Sequence, residues 1–165
     1  QVESFALALA IISVVLLLAA GNLRLGVFAV AGNLGPIVVV LGVMGWCGIA
    51  LEVSNILVAT IAIGIVVDDT IHIIHGYRRE RQSRGAGDDA AYEAVGAALA
   101  SSGRAILFTT MVLSLTFAVY VGSSLSNIRD FGLLVVTTFV AALAADLIVL
   151  PPLMLAWPPQ GKGTA

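Results

Sequence analysis

Two adjacent carboxylates, Asp68 and Asp69, stand inside the stretch Thr60–Arg81, TIAIGIVVDDTIHIIHGYRRER, which otherwise reads as a lipid-embedded helix. Between Val53 and Gly76 the only other ionisable side chains are His72 and His75. A charged group at the bilayer centre costs about 2.5–3.5 kcal/mol on insertion scales, and acids placed there usually mark proton or ion pathways. A proton relay is therefore the first chemistry to weigh. A carboxylate withdrawn from water can exchange a proton and couple that exchange to helix movement, and two neighbouring acids titrate as a pair. An intramembrane aspartyl protease is the enzyme-class rival, since two carboxylates sharing one proton is its chemistry. Neighbours on one helix point about 100° apart, so Asp146 would have to supply the second acid. A metal site at Asp68, His72 and His75 offers only three ligands from one helix near the water interface; histidines bonded at a helix end or facing water are the simpler reading. No cofactor and no metal is called for. A purely structural buried acid suits Asp146, but it accounts poorly for three intramembrane acids when no span carries Lys or Arg.

Placed at 100° per residue, Thr60, Gly64, Asp68, His72 and His75 share one arc that is polar or small. The opposite arc carries Ile56, Ala59, Ile63, Val66, Val67, Ile73 and Ile74, interrupted by Thr70, whose hydroxyl can return to the carbonyl four residues back. The expectation is that this apolar arc faces lipid and that the aspartates face a bundle interior. Gly64, one turn before Asp68, is expected to admit a neighbouring helix.

The elements that must position these residues follow from composition. The 165 residues are 59% hydrophobic and 11% charged, with a mean hydropathy of +1.05, against about 25% charged in soluble domains. The fold class is an all-α membrane protein, a polytopic helical bundle. A span needs about 20 apolar residues, and five candidates occur at about 4–20, 36–51, 53–76, 105–122 and 131–156, making residues 1–157 one transmembrane half-domain. The apolar stretch Leu25–Gly35 lies between the first two, and Pro36 is expected to start the second, where Gly42, Gly45 and Gly48 make a strip for close packing. The polar loop 77–104 reads as a cytoplasmic connection holding a short amphipathic helix on the membrane surface, opened by Asp88 and Asp89 and showing Tyr92, Val95 and Leu99 on one side. Glu52, Ser54 and Asn55 mark a turn before the third span, Gly21 and Asn22 end the first, and Pro151 and Pro152 are expected to bend or end the last helix. The opening Gln1, followed at once by a span, predicts a piece of a longer chain rather than a signal peptide, and 158–165 reads as a polar cytoplasmic tail. The single Cys47 excludes an internal disulfide. A net charge of −2 and pI near 5.5 argue against nucleic acid as a partner.

Orientation comes from the arginines. With 77–104 cytoplasmic, Arg24, Arg78, Arg79, Arg81, Arg84, Arg104 and Lys162 fall on one side and only Arg129 on the other. Depth agrees: Asp68 lies nine residues from Tyr77, ~13 Å, and Ser114 ten residues from Arg104, ~15 Å. Ser114 and Thr110 are thus expected to meet Asp68 across a helix interface. The fourth span also presents Thr109 and Thr116, and the fifth Thr137 and Thr138 with Asp146.

RLG at 24–26, GIAL at 48–51, GIVVDDTIHIIHGYRRE at 64–80, EAV, GRAI and TT between 93 and 110, and FGLLV with ADLIVLPPLML between 131 and 155 together resemble the resistance-nodulation-division (RND) superfamily of proton-driven exporters, closest to its MMPL-type and hopanoid or lipid exporter branch. The resemblance implies a twelve-helix transporter of two six-helix repeats, each with a periplasmic domain after its first helix. This chain would be five transmembrane helices of one repeat, more naturally the second, in a bacterial inner membrane with its N-terminus periplasmic and its C-terminus cytoplasmic. Implied partners are membrane lipids, the missing N-terminal half and periplasmic domains, a hydrophobic substrate and a second copy of the chain. The family's proton-carrying acid falls on Asp68, with Asp69 beside it; Gly64, His72, Thr110, Ser114 and Asp146 are the supporting residues. The function so implied is proton-motive-force-driven export of hydrophobic or lipid-like molecules, not enzymatic catalysis. A sterol-sensing-like sensor of the same fold is the alternative, and an intramembrane aspartyl protease the remote one.

The arginine distribution predicts that, with Cys47 replaced by Ser, cysteines at Ser83 and Ser124 differ in access on intact cells. An impermeant thiol reagent labels position 124 and spares position 83; the reverse pattern would invert the topology.

Overall fold

Helices form all the regular structure among the described residues: α1 (Val2–Ala20), α2 (Leu23–Cys47), α3 (Val53–Arg84), α4 (Asp88–Ala98), α5 (Arg104–Val121), α6 (Ser126–Ala144) and α7 (Leu150–Ala156). One-turn π-helical segments at Leu99–Gly103 and Ala145–Val149 join α4 to α5 and α6 to α7. This computed structural model describes residues 2–21, 23–49, 53–84 and 87–156, the side chains of 2–6, 8, 9, 24, 53–63 and 88 excepted. The readings made for Asn22, Glu52 and the tail 158–165 lie outside the described residues, as do those that rest on the side chains of Arg24, Ile56, Ala59, Thr60, Ile63 and Asp88; Ser54 and Asn55, expected in a turn, lie in the first turn of α3.

Among the described residues three continuous helices, Leu25–Cys47, Asp89–Val121 and Ser126–Ala156, are long and apolar enough to cross a membrane. The molecule is an all-α membrane bundle. Helices prevail because lipid offers no partner to backbone N–H and C=O groups, which must bond within their own segment.

Glycines set the tightest contacts. Gly21, at φ +58°, leaves α1 in the left-handed region and lets the Arg78 guanidinium lie so close that a Cβ there would stand 2.5 Å from Nη1. Gly26 lets α2 meet the α1 backbone, where a Cβ would fall 2.8 Å from Leu17 Cα. Gly132 does the same for α6 on α5, since its Cβ would meet the Phe117 carbonyl oxygen at 2.9 Å and the Val121 nitrogen at 3.0 Å. Around this contact Phe117, Tyr120 and Phe131 stack, with Tyr120 and Phe131 edge to face at 5.7 Å.

Several expectations change. Pro36 does not start a helix; α2 runs through it, and Leu25–Gly35 forms the first half of the same helix. A proline inside an α-helix removes one hydrogen bond four residues back, and Gly32 occupies that position. Gly48 is a cap rather than part of a packing strip: at φ +66° it ends α2, and the Ile49 N–H returns to the Met44 carbonyl at 2.9 Å, the Schellman pattern. Gly42 and Gly45 have no neighbour within 4 Å of a would-be Cβ. Pro151 and Pro152 do not end the last helix. The π segment just before them loosens the turn whose carbonyls they cannot serve, and the chain stays helical to Ala156. Finally, α4 buries Ala91, Ala94, Val95 and Ala98 in the core it shares with α3, while Tyr92 stays exposed. The face expected on the membrane surface is thus largely turned onto the protein.

The main core gathers Leu16 and Ala20 of α1, Leu25 and Ala29 of α2, Val67, Ile73, Ile74 and Tyr77 of α3, and Leu150 and Met154 of α7. A second cluster joins Val66 of α3 to Val135, Phe139 and Ala142 of α6. Helix α3 is thereby the element the others pack around.

Gly132→Ala must push Cβ into the α5 backbone and should destabilise the bundle by about 1–3 kcal/mol. Gly42→Ala should be close to neutral in the same chain. Thermal unfolding in one detergent compares them, and an equal response of the two variants would refute the close-approach account.

Candidate functional site

The two faces of α3 are used in the opposite sense to that expected. Val66, Val67, Thr70, Ile73, Ile74 and Tyr77 are buried inside the chain, whereas Gly64, Asp68, His72 and His75 are exposed. The helical wheel groups the residues correctly; the assignment of its arcs to lipid and to bundle is corrected. On the open face the Asp68 side chain is 72% exposed, and its Oδ2 stands 3.7 Å from His72 Nε2, one turn away. Asp69 is half-buried at the boundary between the faces. Among the described residues nothing lies within 4 Å of a would-be Cβ at Gly64.

The expected meeting of Asp68 with the Thr110 and Ser114 face of α5 is not formed within this chain. Helix α5 packs mainly on α6, Thr110 is buried, and the enclosed Ser114 hydroxyl has no hydrogen-bond partner. Among the described residues no three His, Cys, Asp or Glu side chains converge on a metal-sized site. Asp146 pairs with the buried side of α3 and Asp68 projects from the open side, so these two acids do not form a protease-like dyad.

The buried side holds residues that the sequence reading did not bring together. Asp146, 2% exposed, sits in the π segment and accepts a 2.7 Å hydrogen bond at Oδ1 from the Thr70 hydroxyl. Thr70 Oγ1 is also 3.3 Å from the Val66 carbonyl, but it has one hydrogen, and the shorter contact to Asp146 takes it. Asn33 of α2 completes the group: its Nδ2 donates to Thr70 Oγ1 at 3.2 Å and to the Ala29 carbonyl at 2.9 Å. Both Asn33 amide hydrogens are thus used, which orients the amide. Asn33 Oδ1 and Asp146 Oδ2 are left enclosed without a donor. The signal for Asn33 was a lone amide in the apolar run 25–35. For Thr70 it was a hydroxyl on an otherwise aliphatic arc.

A polar cavity of about 460 Å³ opens near the acid pair, lined by His72, His75, Gly76, Arg79, Ser101 and Ser102. Gly76 allows it to be narrow-walled, since a Cβ there would lie 3.2 Å from Ser102 Oγ. The cavity gives the His72 end of the open face a polar connection toward the α3–α4 side.

The Patched SSD family profile matches residues 4–156, nearly the whole chain. The chain belongs to the Patched SSD family. That family is part of the RND and sterol-sensing group, whose members are transporters or sensors rather than classical enzymes. A search of curated proteins finds no match. In this Patched-type domain α3 therefore has two polar sites back to back: an open acid pair, and a buried carboxylate held by α2, α3 and the segment after α6. Sequence adjacency links them, because Thr70, which bonds Asp146, follows Asp69.

Thr70→Val keeps the shape of the side chain and removes the hydrogen bond that Thr70 donates to Asp146 Oδ1. The loss of a bond to a charged or polarised group predicts a destabilisation of about 1.5–3 kcal/mol, whereas Thr70→Ser should retain most of the stability. Unfolding midpoints of the three proteins in one detergent decide it.

Proposed function

We propose that this domain is the membrane part of a proton-motive-force-driven exporter of hydrophobic or lipid-like molecules, with Asp68 and Asp69 as its proton relay. The observation that carries the reading is the placement of Asp68 on the face of the central helix that the described helices leave open, with Asp69 beside it at that face's edge. An acid pair is costly to expose to lipid. A second helical half, packed over Gly64 and Asp68, would shield it and would receive the movement that proton exchange drives. Gly64, Gly42 and Gly45, which have no neighbour within 4 Å of a would-be Cβ among the described residues, suit such a partner. His72 Nε2 stands 3.7 Å from Asp68 Oδ2, and the cavity beside His72 and His75 supplies polar groups along which protons can reach water. Thr110 and Ser114, enclosed on α5, and Asp146, behind α3, support the relay from within the bundle. In this reading the domain lies in a bacterial inner membrane with the 77–104 segment cytoplasmic, works with a second half and periplasmic domains, and belongs to the MMPL-type, lipid-exporting branch.

A sterol-sensing membrane sensor is the second reading, favoured by the Patched SSD match itself. It uses the same open face to bind a partner or sterol and needs no proton flux. Export measured with and without an uncoupler separates the two: loss of export on uncoupling supports the transporter, and uncoupler-insensitive function supports the sensor.

The two acids should also differ. In the full-length protein at matched abundance, Asp68→Asn should abolish export, because the principal proton carrier is gone. Asp69→Asn should leave export in place with a displaced pH optimum, because only the neighbouring charge is lost. A pH profile of export for both variants is the measurement; an inactive Asp69→Asn beside an active Asp68→Asn would reverse the assignment.

A further inference from the structure

The hydrogen-bond inventory of the buried group on the other side of α3 does not close with the atoms so far named. Thr70 spends its single hydrogen on Asp146 Oδ1, and Asn33 spends both of its amide hydrogens on Ala29 and Thr70. Two acceptors, Asp146 Oδ2 and Asn33 Oδ1, remain buried without any donor. An ionised carboxylate with a bare enclosed oxygen carries a desolvation penalty of several kcal/mol unless it is paired, and none of its hydrogen-bond partners is a cation. One added hydrogen cancels the charge and turns Oδ2 from a bare acceptor into an O–H donor, in a group that holds a second acceptor without a donor, Asn33 Oδ1.

We propose that Asp146, Thr70 and Asn33 form a second proton-binding site, separate from the Asp68 and Asp69 pair, in which the proton sits on Asp146 Oδ2. The step is an association: H⁺ from water adds to a lone pair of Oδ2, an O–H bond forms, no bond breaks, and the group passes from charge −1 to 0. Oδ1 continues to accept from Thr70.

The surroundings favour a proton over a fixed counter-ion. The elements packed against the π segment are α2, α3, α6 and α7. From α3, Asp69 is the titratable group whose charge reaches Asp146; Asp68, His72 and His75 lie on the open face, and the Tyr77 phenol is two turns further on. Helix α2 brings Asn33; its charged or titratable residues, Arg24 and Cys47, are nine and fourteen residues away in sequence. The Arg129 and Asp130 pair of α6 is sixteen residues away, ~24 Å along the helix, and α7 has no titratable group. A π turn places Asp146 here, and such turns are often kept where a side chain has a task. The site bears on the proposed proton-driven cycle only in that its proton would change the charge enclosed where α2, α3 and the π segment meet; the binding itself stands apart from that reading.

The experiment uses the full-length protein in lipid bilayers at neutral pH. Infrared spectra in H₂O and D₂O, with ¹³C-labelled aspartate, report the carbonyl stretch of a protonated carboxylic acid. We expect such a band in the unmodified protein, lost in Asp146→Asn, retained in Asp68→Asn, and shifted in Thr70→Val, which removes the bond to Oδ1. Asp146→Asn, a neutral isostere, should keep the unfolding midpoint of the parent, and Asp146→Leu should lower it. Absence of the band in the folded parent, or its loss in Asp68→Asn alone, would overturn the proposal. So would Na⁺, against choline at fixed pH, raising the thermal stability of the parent but not of Asp146→Asn, since the occupant would then be a metal ion. Should Asp146→Asn fail to fold, the Thr70→Val shift still assigns the band. Uncoupler-insensitive function with the band present would remove the proton-driven reading and leave this site. Proton-coupled export without the band would remove this site alone.

Discussion

The hydrogen bond from Thr70 to Asp146 is the contact on which the arrangement of this bundle turns. Lipid tails are as apolar as leucine, so aliphatic side chains gain little by choosing a neighbouring helix over the bilayer. Polar groups have no such indifference, because each enclosed donor or acceptor needs a partner. Asp146 therefore selects which side of α3 is inside, and Asn33 brings α2 to the same place. The aliphatic residues that flank Thr70, Val66, Val67, Ile73 and Ile74, are carried inward with it.

Packing then works within that constraint through small residues and irregular turns. Gly26 and Gly132 bring backbones together where a methyl group would collide, and Gly21 makes room for a guanidinium at the end of α1. The two π segments mark the places where the regular register would aim side chains wrongly. One turns α4 into α5; the other sets Asp146 and prepares the helix for Pro151 and Pro152. Backbone irregularity in a membrane is tolerated when it is enclosed by protein, and Gly103, Ala145 and Asp146 are buried.

A central helix with one face locked and the other open suits a member of the Patched SSD family, whether it transports or senses. The locked face holds α1, α2, α4 and α6 to α3 as one body, so a force applied to the open face moves the set rather than a single side chain. Asp69 stands at the boundary and Thr70 follows it, which puts any change of charge on the open face one residue from the bond that fixes the buried one.

Much of this was legible in the residues themselves. Composition and apolar run length settle an all-helical membrane bundle, the 100° step settles which residues of α3 share an arc, and a carboxylate pair in an apolar helix marks a site whatever surrounds it. The order of the motifs was enough for the RND resemblance, which the Patched SSD match places at the level of the wider group. The tertiary structure alone decided which arc faces inward, because hydropathy scores a lipid-facing isoleucine and a core isoleucine alike. It also decided that Pro36 and Pro151 are passed rather than obeyed, since a lost backbone bond can be absorbed by a glycine or a π turn that local rules do not foresee. The buried triad needed three residues separated by 37 and 76 positions to meet. No periodicity connects them, and only the demand of a buried carboxylate for a donor does.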